Sequence, residues 1–113
     1  MRHTKKTTAA LLSLSALAQE SRLAIFRLLV QAGPTGLAAS RIAQQLDIAA
    51  SSLSFHLKEL SHAKLINATP QGRSIIYAAD FATMNDLLTY LTDNCCGGNS
   101  CSPVAAAIDK KSR

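Results

Sequence analysis

Between positions 34 and 79 the chain sets two short helical patterns, a tight turn and two β-rich runs in one order, and few packings satisfy that order. The first helical pattern covers 38–46, with Ile42, Ala43 and Leu46 expected to face inward. Asp47-Ile48-Ala49-Ala50 follows as a turn, and Asp tolerates the left-handed geometry such a turn needs. The second pattern runs to about residue 63, with Ser51 expected as its N-cap. Leu53, Leu57 and Leu60 fall at i, i+4 and i+7, which gives this helix one narrow buried stripe. The runs 65–69 and 74–77 are rich in β-formers, and Pro70-Gln71-Gly72-Arg73 between them signals a hairpin. Two helices, a tight turn and a hairpin give a mainly α chain with a β-hairpin, a winged helix-turn-helix.

The flanks read as helices. Residues 8–18 carry Leu11, Leu14 and Leu17 at helical spacing, and residues 20–31 carry Leu23, Phe26 and Val30 along one stripe. Gly33, as a left-handed cap, and Pro34 stop the second helix. Residues 81–94 place Met84, Leu87, Leu88 and Leu91 on one face, and Ser102-Pro103 opens a last short helix over 103–110. The 113 residues thus divide into core and dimerisation helices (8–33), the helix-turn-helix (37–64), the wing (65–79), a dimerisation helix (81–94) and a cysteine-bearing tail (95–113). The N-terminal "MRHTKKTTAALLSLSALA" has the outline of a secretory leader, which would make the cysteines extracellular. Ser13 and Ser15 interrupt its apolar run, and the helical pattern continues without a break, so a helix and a cytoplasmic protein are expected. No apolar run approaches the ~18–20 residues that span a bilayer, so no membrane partner is expected.

Apolar residues make up 48% of the chain and charged residues 17%, which marks a folded protein with apolar surface to spare for an interface. The net charge of +5 favours a polyanionic partner. The second helix buries only its leucines, which frees Ser51, Ser52, Ser54, Phe55, Lys58 and His62, with His56 at the stripe's edge. Hydroxyls can bond base edges and phosphates of double-stranded DNA, Phe55 can meet a thymine methyl, and Arg73 at the hairpin tip can reach a minor groove or a phosphate. The competing reading is a small helical domain with an ordinary solvated face, in which His56 is a half-buried structural histidine. No Gly-rich phosphate loop, paired carboxylates or Cys/His nucleophile pair supports an enzyme.

All three cysteines fall within nine residues, "DNCCGGNSC", and Gly97 and Gly98 allow Cys101 to fold back toward Cys95 and Cys96. Three thiolates without a nearby histidine argue against a four-ligand zinc site. They suit trivalent arsenic or antimony, which takes three sulfurs in a pyramid; no organic cofactor is expected. Other readings stay open: cysteines with no ligand, another thiophilic ion such as Cd(II) or a Cu(I)-like ion, a thiol redox switch, or a metalloid sequestration protein that binds no DNA. The redox reading needs a reactive thiolate. An expected helix C-terminus and Asp93 beside Cys95 and Cys96 both oppose negative charge there.

The segments "LSALAQESRLAIFRLLVQAG" (14–33) and "SSLSFHLKELSHAKLI" (51–66) resemble the ArsR/SmtB family of metal-responsive repressors. The likeness rests on Leu-Ala-x-x-x-Arg-Leu at 17–23, Ser-x-x-Ser-x-His-Leu-x-x-Leu at 51–60 and Gly72-Arg73…Tyr77. It implies a homodimer paired through the first and last helices. It further implies a metal-free dimer that occludes a promoter, DNA contacts by Ser51, Ser54 and His56, and lower DNA affinity once metal binds. The family's common sites are missing. The positions of its Cys-x-Cys-x-x-Cys site hold Ala38, Ser40 and Ala43, and the helix over 81–94 has no histidine. The expectation is therefore a metalloid-responsive repressor whose As(III) or Sb(III) ligands are Cys95, Cys96 and Cys101.

Overall fold

The computed structural model describes residues 4–98, so Cys101 and the short helix expected at 103–110 lie outside the described residues. The elements are α1 (Lys5–Leu17), α2 (Glu20–Ala32), β1 (Leu37–Ala38), α3 (Ala39–Leu46), α4 (Ala50–His62), β2 (Ile66–Gln71), β3 (Ser74–Ala79) and α5 (Phe81–Thr92). The three strands form an antiparallel sheet in the order β1-β3-β2. Ile25, Leu29, Ile42, Leu60 and Leu65 are fully buried and join α2, α3, α4 and the root of the wing. Each such side chain contributes roughly 1.5–3 kcal/mol of transfer free energy.

The helix-turn-helix forms much as its residues require. Ile42 is buried and Ala43 and Leu46 pack beside it, while Leu53, Leu57 and Leu60 are the buried stripe of α4. Asp47 ends α3 in the left-handed region (φ 53°, ψ 51°), and Ile48 N–H donates to the Ala43 carbonyl at 3.1 Å to close the turn.

Several details differ from the expectations. The N-cap of α4 is Ala49 rather than Ser51, and no side chain caps the helix. Gly33 caps α2 with φ 80° and ψ −169°, an extended glycine conformation rather than the left-handed helical one. In α2 the buried residues are Ile25, Phe26 and Leu29, while Leu23 is 45% exposed, because the helix packs on α4 and the sheet along a stripe centred on Ile25 and Leu29. The hairpin turn is two residues, Gly72-Arg73, with Pro70 and Gln71 inside β2. Pro70 is tolerated there because β2 is an edge strand. Gly72 has φ 63°, and Arg73 does not share the positive sign, the pattern of a type II′ turn.

The outer helices depart further. Helix α1 starts at Lys5, capped by Thr4 Oγ1, which accepts from Thr7 N–H at 3.1 Å. Its buried residues are Ala10, Ser13 and Ala16, whereas Leu11 is 51% and Leu14 40% exposed. Helices α1 and α5 touch, and Thr7 Oγ1 meets the Tyr90 hydroxyl at 2.7 Å across that contact. Residues 5–17 of the segment with a leader-like outline form a helix that packs against α2, α4 and α5. No residue of α5 is buried; Met84 and Leu87 are half-buried, and Leu88 and Leu91 are exposed. Helix α5 stops at Thr92, and a tight turn follows at Cys95–Gly98 with Cys96 (φ 57°) and Gly97 (φ 66°) both left-handed.

Candidate nucleic-acid interface

The stripe of three leucines fixes which way α4 faces, and everything else on the helix follows from it. Ser51, Ser52, Ser54, Phe55, Lys58 and His62 are exposed, with Phe55 at 55%. Because no side chain caps α4, the backbone N–H groups of its first turn stand among the three serine hydroxyls. This is a cluster of neutral donors at the positive end of a helix dipole, suited to a phosphate or to base-edge acceptors. Lys58 adds a charge about two turns on. Arg73 is exposed at the tip of the wing, carried there by the two-residue turn. The seven residues expected to meet DNA are thus Ser51, Ser52, Ser54, Phe55 and Lys58 on the exposed surface of α4, His56 half-buried at its edge, and Arg73 at the wing tip.

His56 has a neighbour that helical periodicity did not reveal. Arg22 Nη1 lies 3.5 Å from His56 Nδ1, and Arg22 Nε donates to the Ala16 carbonyl at 2.6 Å. The Phe55 and His56 rings meet edge to face, with centroids 5.7 Å apart and planes at 62°. Arg22 was visible in the sequence only as part of the 17–23 motif, and its role needs the tertiary contact between α2 and α4.

Cys95 and Cys96 stand together after α5, with Sγ atoms 3.6 Å apart. Two thiolates held tetrahedrally at ~2.3 Å from one ion would sit about 3.8 Å apart, close to this spacing, and Cys96 must be reduced to serve as one. A bond between the two would need about 2.05 Å. Cys96 is disulfide-bonded in this structure. Among the described residues no three His, Cys, Asp or Glu side chains are grouped so as to hold a metal, and the third cysteine lies outside them.

Residues 17–68 match a family model described as a helix-turn-helix domain. An ArsR-like transcriptional regulator from Rhodococcus sp. RHA1 superimposes with a TM-score of 0.67 at 24% identity, over 92% of this chain and 86% of that one. The chain has the ArsR-type winged helix-turn-helix fold. HlyU from Vibrio cholerae N16961 is similar at 26% identity (TM-score 0.64, 79% of this chain, 97% of that one). So is the homodimeric winged helix-turn-helix domain Mb0332 from Mycobacterium bovis, a possible ArsR-family regulator, at 21% (TM-score 0.60, 88% and 96%). No curated protein sequence is significantly similar. These likenesses bear out the winged helix-turn-helix fold that the resemblance of residues 14–33 and 51–66 implied. In this fold α4 is the second helix of the helix-turn-helix, and β2–β3 form the wing. Among the described residues no helix is long and apolar enough to cross a membrane.

Proposed function

We propose that the chain is a cytoplasmic, homodimeric transcriptional repressor of the ArsR/SmtB family that releases promoter DNA when As(III) or Sb(III) is held by Cys95, Cys96 and Cys101. The observation that carries the sensing half is the pair of sulfurs 3.6 Å apart on a tight turn directly after α5. A soft trivalent ion supplies pyramidal three-sulfur coordination there, with Gly97 in the left-handed conformation that turns the chain back after the pair. The dimer is supported by apolar surface that one chain leaves uncovered. Leu11, Leu12 and Leu14 on α1 and Leu88 and Leu91 on α5 are each at least 39% exposed, and the two helices pack together. Ligand binding after α5 would then act on the dimer contact and change the spacing of the two α4 helices against major grooves ~34 Å apart.

One observation favours a second reading. Cys96 is disulfide-bonded, as a thiol redox-switch repressor would require in its oxidised state. Intact-mass measurement after mild peroxide separates the two: DNA release on disulfide formation, without metalloid, supports the switch.

The DNA half is tested by salt dependence. A titration of a promoter fragment at several salt concentrations should give a steep negative slope of log K against log salt. Lys58→Ala and Arg73→Ala should each reduce that slope by about 1, the signature of a lost phosphate contact. If no fragment binds with a salt-dependent affinity, the repressor reading fails.

A further inference from the structure

Arg22 is half-buried in the first turn of α2, and its guanidinium faces two groups on other helices. Nε donates to the Ala16 carbonyl in the last turn of α1 at 2.6 Å, and Nη1 points at His56 Nδ1 of α4 at 3.5 Å. A guanidinium has no acceptor and does not lose its proton in proteins, so the only favourable partner for it at Nδ1 is the lone pair. In the neutral imidazole that leaves the proton on Nε2. Arginine therefore selects one tautomer, much as a partner on one ring nitrogen sets the role of the other. Phe55, edge-on to the ring at 5.7 Å, restrains the same imidazole from a second side.

We infer that Arg22 is a positioning residue for DNA binding, which holds His56 as an Nε2–H donor for an acceptor on DNA, a phosphate oxygen or a purine N7. The inference rests on the DNA-binding reading above. It assigns His56 a single hydrogen-bonding role where the free side chain has two. It also places the end of α1, through Ala16 and Arg22, in contact with the recognition helix. The alternative is that Arg22 only caps the carbonyls that α1 leaves unpaired at its C-terminus.

Two measurements on the full chain separate these. Long-range proton–nitrogen NMR of the ¹⁵N-histidine-labelled protein, at a pH where imidazole is neutral, should find His56 protonated on Nε2. Arg22→Gln should shift it toward a mixture of tautomers. DNA titrations should show Arg22→Gln and Arg22→Lys weakening a promoter fragment about tenfold, the scale of one charge-assisted contact. In a His56→Ala background the same changes should matter less than twofold, since the group they position is gone. Equal losses in both backgrounds, or a wild-type proton on Nδ1, overturn the inference and leave Arg22 as a cap. Arg22→Lys keeps a donor for Ala16, so it retains the fold should Arg22→Gln prove too unstable. If the wild type binds no fragment while the tautomer is as stated, the DNA reading has failed and the proposed role falls with it, although Arg22 still holds His56.

Discussion

Gly36→Ala should lower stability by about 2–5 kcal/mol, one of the largest losses any single methyl can cause in this chain. Gly36 lies between α2 and β1 with φ 68°, a conformation that L-residues rarely adopt. A β-carbon there would also sit on the carbonyl oxygen of Tyr77 and press against Ala78 Cβ. Both are backbone-fixed, since Tyr77 is paired with Leu37 and with Ala68 in the middle of the sheet. Relief would require β1 to leave β3, and β1 is only two residues long. Gly72→Ala is the control. Its φ of 63° carries the same backbone penalty, but nothing lies within 4 Å of an added β-carbon, so only about 1 kcal/mol should be lost. Urea unfolding of both variants measures the difference. Equal losses would show that β1 can leave β3 without cost.

Leu91→Asp should raise the dimer dissociation constant by roughly 10³–10⁴-fold while leaving the folded monomer intact. Leu91 is 54% exposed, so within one chain a polar group there loses little. In a symmetric dimer the same change buries two unpaired carboxylates, at about 2–3 kcal/mol for each. Sedimentation equilibrium reads the association, and circular dichroism shows whether the monomer remains folded. A dimer of unchanged affinity would remove α5 from the interface.

These two variants also mark where sequence reasoning is strong and where it stops. The stripe Leu53, Leu57 and Leu60 was legible because polar residues flank every leucine, so only one face of α4 can be buried. Asp47 was legible because its turn needs a residue that tolerates positive φ. Strand β1 was not, since two residues carry no alternation and their partners Tyr77 and Ile76 are some forty positions away. Leu11 and Leu14 mark α1 as amphipathic, but periodicity cannot say what covers an apolar face. The chain packs α1 inward through Ala10, Ser13 and Ala16 and leaves those leucines outside. Ser51 reads as a cap because serine caps helices so often; the N-cap falls two residues earlier, at Ala49, which frees that hydroxyl for the surface. At the candidate site the exposed α4 residues and Arg73 followed from pattern alone. Arg22 did not, because its meaning lies in a contact with His56 across 34 positions.

The proposed sensing requires that the cysteines couple to DNA release. The direct measurement is a promoter-fragment titration of the reduced protein with and without arsenite, for the wild type and for the variant Cys95→Ser/Cys96→Ser/Cys101→Ser. Arsenite should weaken wild-type binding about 5–150-fold, the span of a 1–3 kcal/mol coupling, and should leave the triple variant bound. Release of the triple variant by arsenite as readily as the wild type would contradict the metalloid site.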